Sequence, residues 1–171
     1  KQVSPHNPAP GQKVTYTVDL VNTGADAESV FLTDTISAAL RATNPNGYAD
    51  LTCRALTDAD DVFPKTEPVA ALTCPTFVSD ANGITGELAM PHNSGLRLTY
   101  TAIAPLTSTS STNVIAVQQD SAYAITGDAN AQVNLYVQAI SLSGTVWHDY
   151  DGSASGFTNI RTGTETGTNA T

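Results

Sequence analysis

Apolar and polar residues alternate with a period of two along most of this chain. Val14, Tyr16, Val18 and Leu20 fall on one face of an extended segment, and Lys13, Thr15, Thr17 and Asp19 on the other. That is the signature of a half-buried strand rich in β-branched residues. Leu96, Leu98 and Tyr100 repeat it with Arg97 and Thr99 outward, and Val133, Leu135 and Val137 repeat it with Asn134, Tyr136 and Gln138 outward. Shorter runs predict strands at 30–34, 86–90 and 113–117. Turn chemistry separates them: Asn22-Thr23-Gly24, Asn46-Gly47, Asn82-Gly83, Pro91-His92-Asn93 and Gly127-Asp128. No segment sustains a helical period with caps, although 35–40 suits a single helical turn. About seven strands with turns every eight to twelve residues predict an all-β fold, an antiparallel two-sheet sandwich.

Residues 41–80 fit this pattern less well. They hold both cysteines, an acidic cluster at Asp58, Asp60 and Asp61, and four prolines. They read as a long insertion between strands, and long loops on sandwiches often carry binding. A boundary falls near 139–143, so the sandwich is expected over 1–140. Residues 141–171 then begin a new strand at Leu142 to Trp147 and run into a tail rich in Gly, Ser, Thr and Asn. That stretch is too short to form a core of its own.

The 171 residues carry a net charge of −9, with three Lys and four Arg. A nucleic-acid partner needs a basic stripe to neutralise phosphates, and none is present. The acidic balance also disfavours anionic lipid, and no run reaches the length of a membrane helix. Only 13% of the chain is charged, against roughly 25% in an average soluble domain. A surface of Thr, Ser, Asn and Gln is common on stalks and surface layers. The chain begins at Lys1 rather than Met, as expected of a protein whose leader has been removed or of an excerpt of something longer. In an exported protein Cys53 and Cys74 are expected to form a disulfide, the other reading being two buried free thiols. The three histidines, His6, His92 and His148, are too scattered to complete a zinc site with them.

Residues 1–140 resemble the DUF11 repeat domain, an immunoglobulin-like module of bacterial and archaeal surface proteins. The resemblance rests on Pro10-Gly11-Gln12-Lys13-Val14-Thr15-Tyr16-Thr17-Val18, on Val21-Asn22-Thr23-Gly24 and on Val30-Phe31-Leu32-Thr33-Asp34-Thr35-Ile36, with Ser37 where the family usually has proline. Thr112-Asn113-Val114-Ile115-Ala116-Val117 looks like its late strand. The cysteine-bearing insertion departs from the family pattern. Residues 142–157 look like the opening of an SdrD B-like domain, another surface-adhesin repeat, some members of which bind calcium. Both resemblances imply an extracellular, cell-surface location in a prokaryote and a structural or adhesive role in a tandem-module protein. They supply no active site. In the motif, Asn22 and Gly24 are expected to reverse the chain through positive φ, and Asp34 to cap the turn after its strand.

Catalytic chemistry finds little footing. No nucleophile elbow surrounds any serine, and His92 and His148 read as structural. Asp149-Tyr150-Asp151-Gly152-Ser153 is the one metal-like string: Asp149, Asp151 and Ser153 are spaced like the start of a calcium loop. Phe157 and Ile160 stand where an EF-hand needs ligands, so an Asp/Gly turn is the plainer reading, and no cofactor is expected apart from that possible calcium. Asp58, Asp60 and Asp61 could gather a cation, although an exposed acidic loop is the simpler account. A Lys–Asn cross-link beside a buried acid is a further chemistry open to surface sandwiches. Lys13 is the lysine considered for it, and alternation sets Lys13 on the outward face.

The expected function is therefore a non-catalytic structural module, a repeat or subunit of a surface filament. The alternative is an adhesin binding a ligand through the 41–80 insertion. The expected partners are further copies of the chain or flanking modules. Leu142, Gly144, Val146 and Trp147 are the candidate assembly strand, which would pair with a neighbouring sheet edge and join subunits head to tail, with the Pro-rich start, residues 1–10, at the same junction.

Overall fold

The computed structural model describes residues 1–63, 67–119, 130–138, 145–147 and 167–169, the last two stretches and residues 28, 119 and 130–133 as backbone. The chain divides into two compact units, Lys1–Ala139 and Ile140–Thr171. The first is a two-sheet antiparallel sandwich. Its elements are β1 (Gln2–Ser4), β2 (Lys13–Asn22), β3 (Ala27–Thr35), α1 (Ala38–Arg41), β4 (Ala49–Ala55), β5 (Val78–Asp80), β6 (Gly83–Met90), β7 (Ser94–Ile103), β8 (Thr109–Gln119) and β9 (Asn130–Val137). One sheet has the order β1-β2-β7-β4 and the other β5-β6-β3-β8-β9. This is an immunoglobulin-like arrangement, a four-stranded sheet facing a five-stranded one with β3 at its centre.

The alternation in the sequence determines which faces meet. In β2, Val14, Tyr16 and Val18 point inward, and their register partners on β7, Ala102, Tyr100 and Leu98, do the same. In the facing sheet Val30, Leu32, Leu88 and Ile115 occupy the equivalent positions, and Leu135 and Val137 close the β9 edge. Each such aliphatic side chain contributes on the order of 2 kcal/mol through the apolar area it removes from water. The single helical turn expected at 35–40 is α1, capped by Ser37, whose hydroxyl accepts from the Leu40 N–H. It buries Leu40 in the same core.

The disulfide Cys53–Cys74 is formed, with Cα atoms 5.9 Å apart. The stretch 41–80 is nevertheless not one loop. It contains β4, a full member of the first sheet, and β5 on the edge of the second, and only 56–77 connects them. Period-two alternation failed to reveal β4 because its register slips between Ala49 and Thr52. Asp50, at φ 53°, lies in that slip.

The Asn22-Thr23-Gly24 motif also works differently from expectation. Neither Asn22 nor Gly24 has a positive φ. The Asn22 side chain does the work instead. Its Oδ1 accepts from the Gly24 N–H, while its Nδ2 donates to the carbonyls of Ala25, Met90 and Pro91. Gly83 does require its type. Its φ is 135°, and a Cβ there would lie 1.9 Å from the Asp34 carbonyl oxygen.

In the second unit β10 (Thr145–Trp147) pairs with β11 (Gly167–Asn169) in a two-stranded antiparallel ladder, Val146 opposite Thr168. Val146 and Trp147, two of the proposed assembly residues, are thus in a strand already paired on one side by its own chain. Leu142, Gly144 and the calcium candidates Asp149, Asp151 and Ser153 lie outside the described residues, as does His148.

Candidate functional site

The start of the chain, β1, packs on the edge of the first sheet. Its register on β2 is Gln2 opposite Thr17, Val3 opposite Tyr16 and Ser4 opposite Thr15. Val3 therefore shares the inward parity of Tyr16, and the period of two sends Lys1 inward as well. The Lys1 side chain is 0% exposed. It enters the sandwich between the sheets and meets two polar side chains of the facing sheet. Lys1 Nζ lies 2.7 Å from Asp34 Oδ2 and 2.5 Å from Asn113 Oδ1.

Asp34 and Asn113 are brought together by the β3–β8 register. Asp34 is opposite Ile115, so Asn113, two residues earlier on β8, is its diagonal neighbour on the same inner face. Both are fully buried. Asp34 is therefore not a turn cap. Its position in the inward series Val30, Leu32, Asp34 and Ile36 puts the carboxyl in the core, where Oδ2 accepts from Lys1 Nζ and from the Tyr100 hydroxyl.

Three tyrosines enclose the cluster. Tyr16 and Tyr100, register partners across β2 and β7, stack with ring centroids 5.4 Å apart, and Tyr48 sits 4.7 Å from Tyr100. Lys1 Nζ is 5.6 Å from the Tyr16 ring centre and 6.0 Å from that of Tyr100, within cation–π range. The Tyr100 hydroxyl donates to Asp34 Oδ2. Asn113 Nδ2 donates to the Tyr48 hydroxyl at 2.5 Å. Among the described residues Asp34 Oδ1 has no hydrogen-bond partner.

Electrostatics follow from burial. Removal from water pushes the Lys1 ammonium below the usual lysine range, with attraction to Asp34 opposing. It pushes the Asp34 carboxyl above the usual carboxylate range, against the pull of Lys1 and the hydrogen bonds it receives. Burial also raises the Tyr16 hydroxyl to about 12, and raises Tyr48 and Tyr100 further, so all three stay protonated. Burial disfavours both charged forms, and it moves the pair in the direction of a neutral amine beside a neutral acid. The arrangement is the Lys1 side-chain nitrogen, the Asp34 carboxyl and the Asn113 carboxamide gathered in the core, all three side chains buried.

The other candidates are placed elsewhere. Lys13 is outward as expected, 60% exposed and paired with Asp50 at 2.5 Å. Of the acidic cluster, Asp60 is clasped by Arg54 through two hydrogen bonds, which hold its carboxyl well below the usual range, and Asp58 Oδ1 accepts from the Val69 N–H. Among the described residues no group of three His, Cys, Asp or Glu side chains could hold a metal. His6 packs edge-on against Tyr136. His92 bonds the Gly24 carbonyl and pairs with Glu67 at 3.1 Å. No helix among the described residues is long and apolar enough to cross a membrane.

Reading from the sequence alone missed Lys1, because three strand positions after a terminus are too few for a period. Asp34 and Asn113 did carry a signal, each being a polar residue at an inward position of an otherwise apolar series. Set against family models, curated proteins and solved structures, the chain matches none.

Proposed function

We propose that this chain is a non-catalytic extracellular structural module, a repeat or subunit of a cell-surface filament or surface protein. One observation carries the reading: the sandwich is built to resist being drawn out from its first strand. Lys1 reaches Asn113, whose register partner on β9 is Val133, and further along the chain the His6 carbonyl accepts from the Tyr136 N–H. The first strand and β9 therefore advance in the same sense. Chain entering at β1 and leaving after β9 exits at opposite ends of the sandwich, so tension shears many contacts at once instead of peeling one strand. The disulfide fixes the long 56–77 connection to β4, a device suited to an oxidising compartment. A Ser/Thr/Asn-rich, charge-poor surface and the resemblance to surface repeat domains support the same reading.

The test is immunogold electron microscopy of intact source cells with antiserum raised against the chain. Labelling of surface filaments or a surface layer is expected, and label confined to the cell interior would overturn the proposal. Saturable ligand binding that disappears when residues 54–73 are replaced would favour the adhesin in its place.

A further inference from the structure

We propose that Lys1 and Asn113 become joined by an intramolecular isopeptide bond between Lys1 Nζ and Asn113 Cγ, formed by the folded domain itself with Asp34 carrying the protons. The inference rests on the geometry of this one cavity and not on where the protein resides.

Nζ is 2.5 Å from Asn113 Oδ1. Cγ lies one carbonyl bond beyond that oxygen, so nucleophile and electrophile are at most about 3.7 Å apart. That is close to the separation from which reaction proceeds without further approach. Neither side chain can drift away, because Lys1 is confined between the sheets and Asn113 is held through Nδ2 by Tyr48. Asp34 touches the attacking nitrogen at 2.7 Å and is oriented by the Tyr100 hydroxyl. The direction in which burial moves both groups suits the chemistry, since an amine must be neutral to attack and an acid protonated to assist. The unpartnered Asp34 Oδ1 is also better accommodated as part of an acid than of a carboxylate.

The reaction balances without any co-reactant. The Nζ lone pair adds to Cγ, and the carbonyl electron pair moves onto Oδ1, which takes the Asp34 proton. The Asp34 carboxylate then accepts a proton from Nζ and passes it to Nδ2. Collapse of the tetrahedral carbon restores the carbonyl and breaks the Cγ–Nδ2 bond. Ammonia leaves from beside the Tyr48 hydroxyl, and the Oδ1 proton returns to Asp34. One amide replaces another, nothing is oxidised or reduced, and Asp34 ends as it began. The event occurs once per molecule. Asp34 is the catalytic residue, and Tyr100 is a positioning residue acting through it.

The test is the intact mass of the full chain after disulfide reduction, followed by tryptic mapping. Loss of ammonia lowers the mass by about 17 Da. The map should then contain one branched peptide joining residues 1–13 to residues 98–161, because trypsin cannot cut at a modified Lys1. Fragmentation should locate the junction at Lys1 Nζ and Asn113. Lys1→Arg removes the nucleophile but keeps the charge, and it is expected to show the full sequence mass. Asp34→Asn should do likewise. A wild-type chain at full mass would overturn the proposal, whatever the variants do. So would the same mass loss with Lys1 unmodified and peptides 2–13 and 98–161 separate, since that would mark a succinimide at some asparagine.

Discussion

Replacing both cysteines with serine gives a quantitative test of how the 56–77 connection is held. The bond closes a ring with a sequence separation of 21. In the chain-entropy treatment, opening such a ring returns about 11 cal/mol/K to the unfolded ensemble, or about 3.4 kcal/mol at 25 °C. A folded unit of the size of Lys1–Ala139 unfolds with an entropy of about 0.3 kcal/mol/K, so Cys53→Ser/Cys74→Ser should lower Tm by about 10 °C. The native fold should survive, because the connection has other ties. The Leu56 N–H donates to the Gly95 carbonyl, the Ala70 N–H donates to Asn93, and Asn93 Nδ2 donates to the carbonyls of Glu67 and Pro68. Phe63 and Leu56 are buried against the start of β7, where both approach Gly95. Calorimetry gives the Tm, and native-state hydrogen exchange shows where protection is lost. The Ala70 amide should exchange faster while the β3–β8 ladder keeps its protection. A Tm change below about 2 °C with Ala70 unaffected would refute the reasoning, since closing this ring would then contribute nothing.

Three further outcomes are expected. Gly83→Ala forces a Cβ to within 1.9 Å of the Asp34 carbonyl at a φ of 135°, and should cost about 3 kcal/mol or more in urea denaturation. Gly24→Ala, which meets only Asn22 Oδ1 at 3.4 Å, should cost well under about 1 kcal/mol, and equal losses would discredit the steric argument. Asn22→Ala removes the side-chain donor to the Ala25, Met90 and Pro91 carbonyls, the last of which keeps the Ser94 hydroxyl, and should lower stability by about 1–2 kcal/mol, against a null result if water replaces the amide without cost. The fourth test is a pH titration. The Gly24 carbonyl first, and then Glu67, hold His92 above its ordinary 6.5, so its contribution is fully present below 6.5 and is lost as pH rises through the raised value. An NMR midpoint for His92 above 6.5 is expected, with faster Ala70 exchange on the alkaline side, and a midpoint at or below 6.5 would contradict the contact.

The parts of this fold that were legible from sequence are those where alternation runs unbroken for five residues or more. The strands around Tyr16, Tyr100 and Leu135 were read with their faces correctly assigned, because a period of two is all that such strands require. β4 was hidden by its register slip and by the prolines and acidic residues that follow it. β1 was hidden by brevity. The cavity itself was half legible. Asp34 sits two residues from Leu32 and two from Ile36, so the same parity that buried those side chains buried its carboxyl. Its place at the end of a strand points equally to a turn cap, as acidic residues there often are. Alternation places Lys13 on the outer face, where it is, but Lys1 has only Val3 to reveal its parity. Which acid meets which amide depends on the β3–β8 register, and no single strand contains that information.

The two cross-links, one seen and one proposed, divide the sandwich into stretches that tension can and cannot reach. Pulled between Lys1 and Val137 without the isopeptide bond, the chain would pay out along its whole length except inside the 53–74 ring, roughly 400 Å when fully extended. With Lys1 bonded to Asn113, force entering at the first residue passes through the amide directly into the middle of β8. Only the chain from Asn113 to Val137, 24 residues on, remains extensible, about 80 Å. The disulfide then lies wholly within the protected loop and bears no load. Its role is confined to ordering the connection between β4 and β5, while the isopeptide bond carries the mechanical continuity of the module. This division also accounts for the burial of an amine, an acid and an amide in a core that apolar residues of the same size would fill at lower cost. The polar cluster is a poor way to stabilise a sandwich but a direct way to place a nucleophile on its target. That placement requires all three groups on strands whose registers are already fixed, so the bond can form only after the sheets have closed on each other.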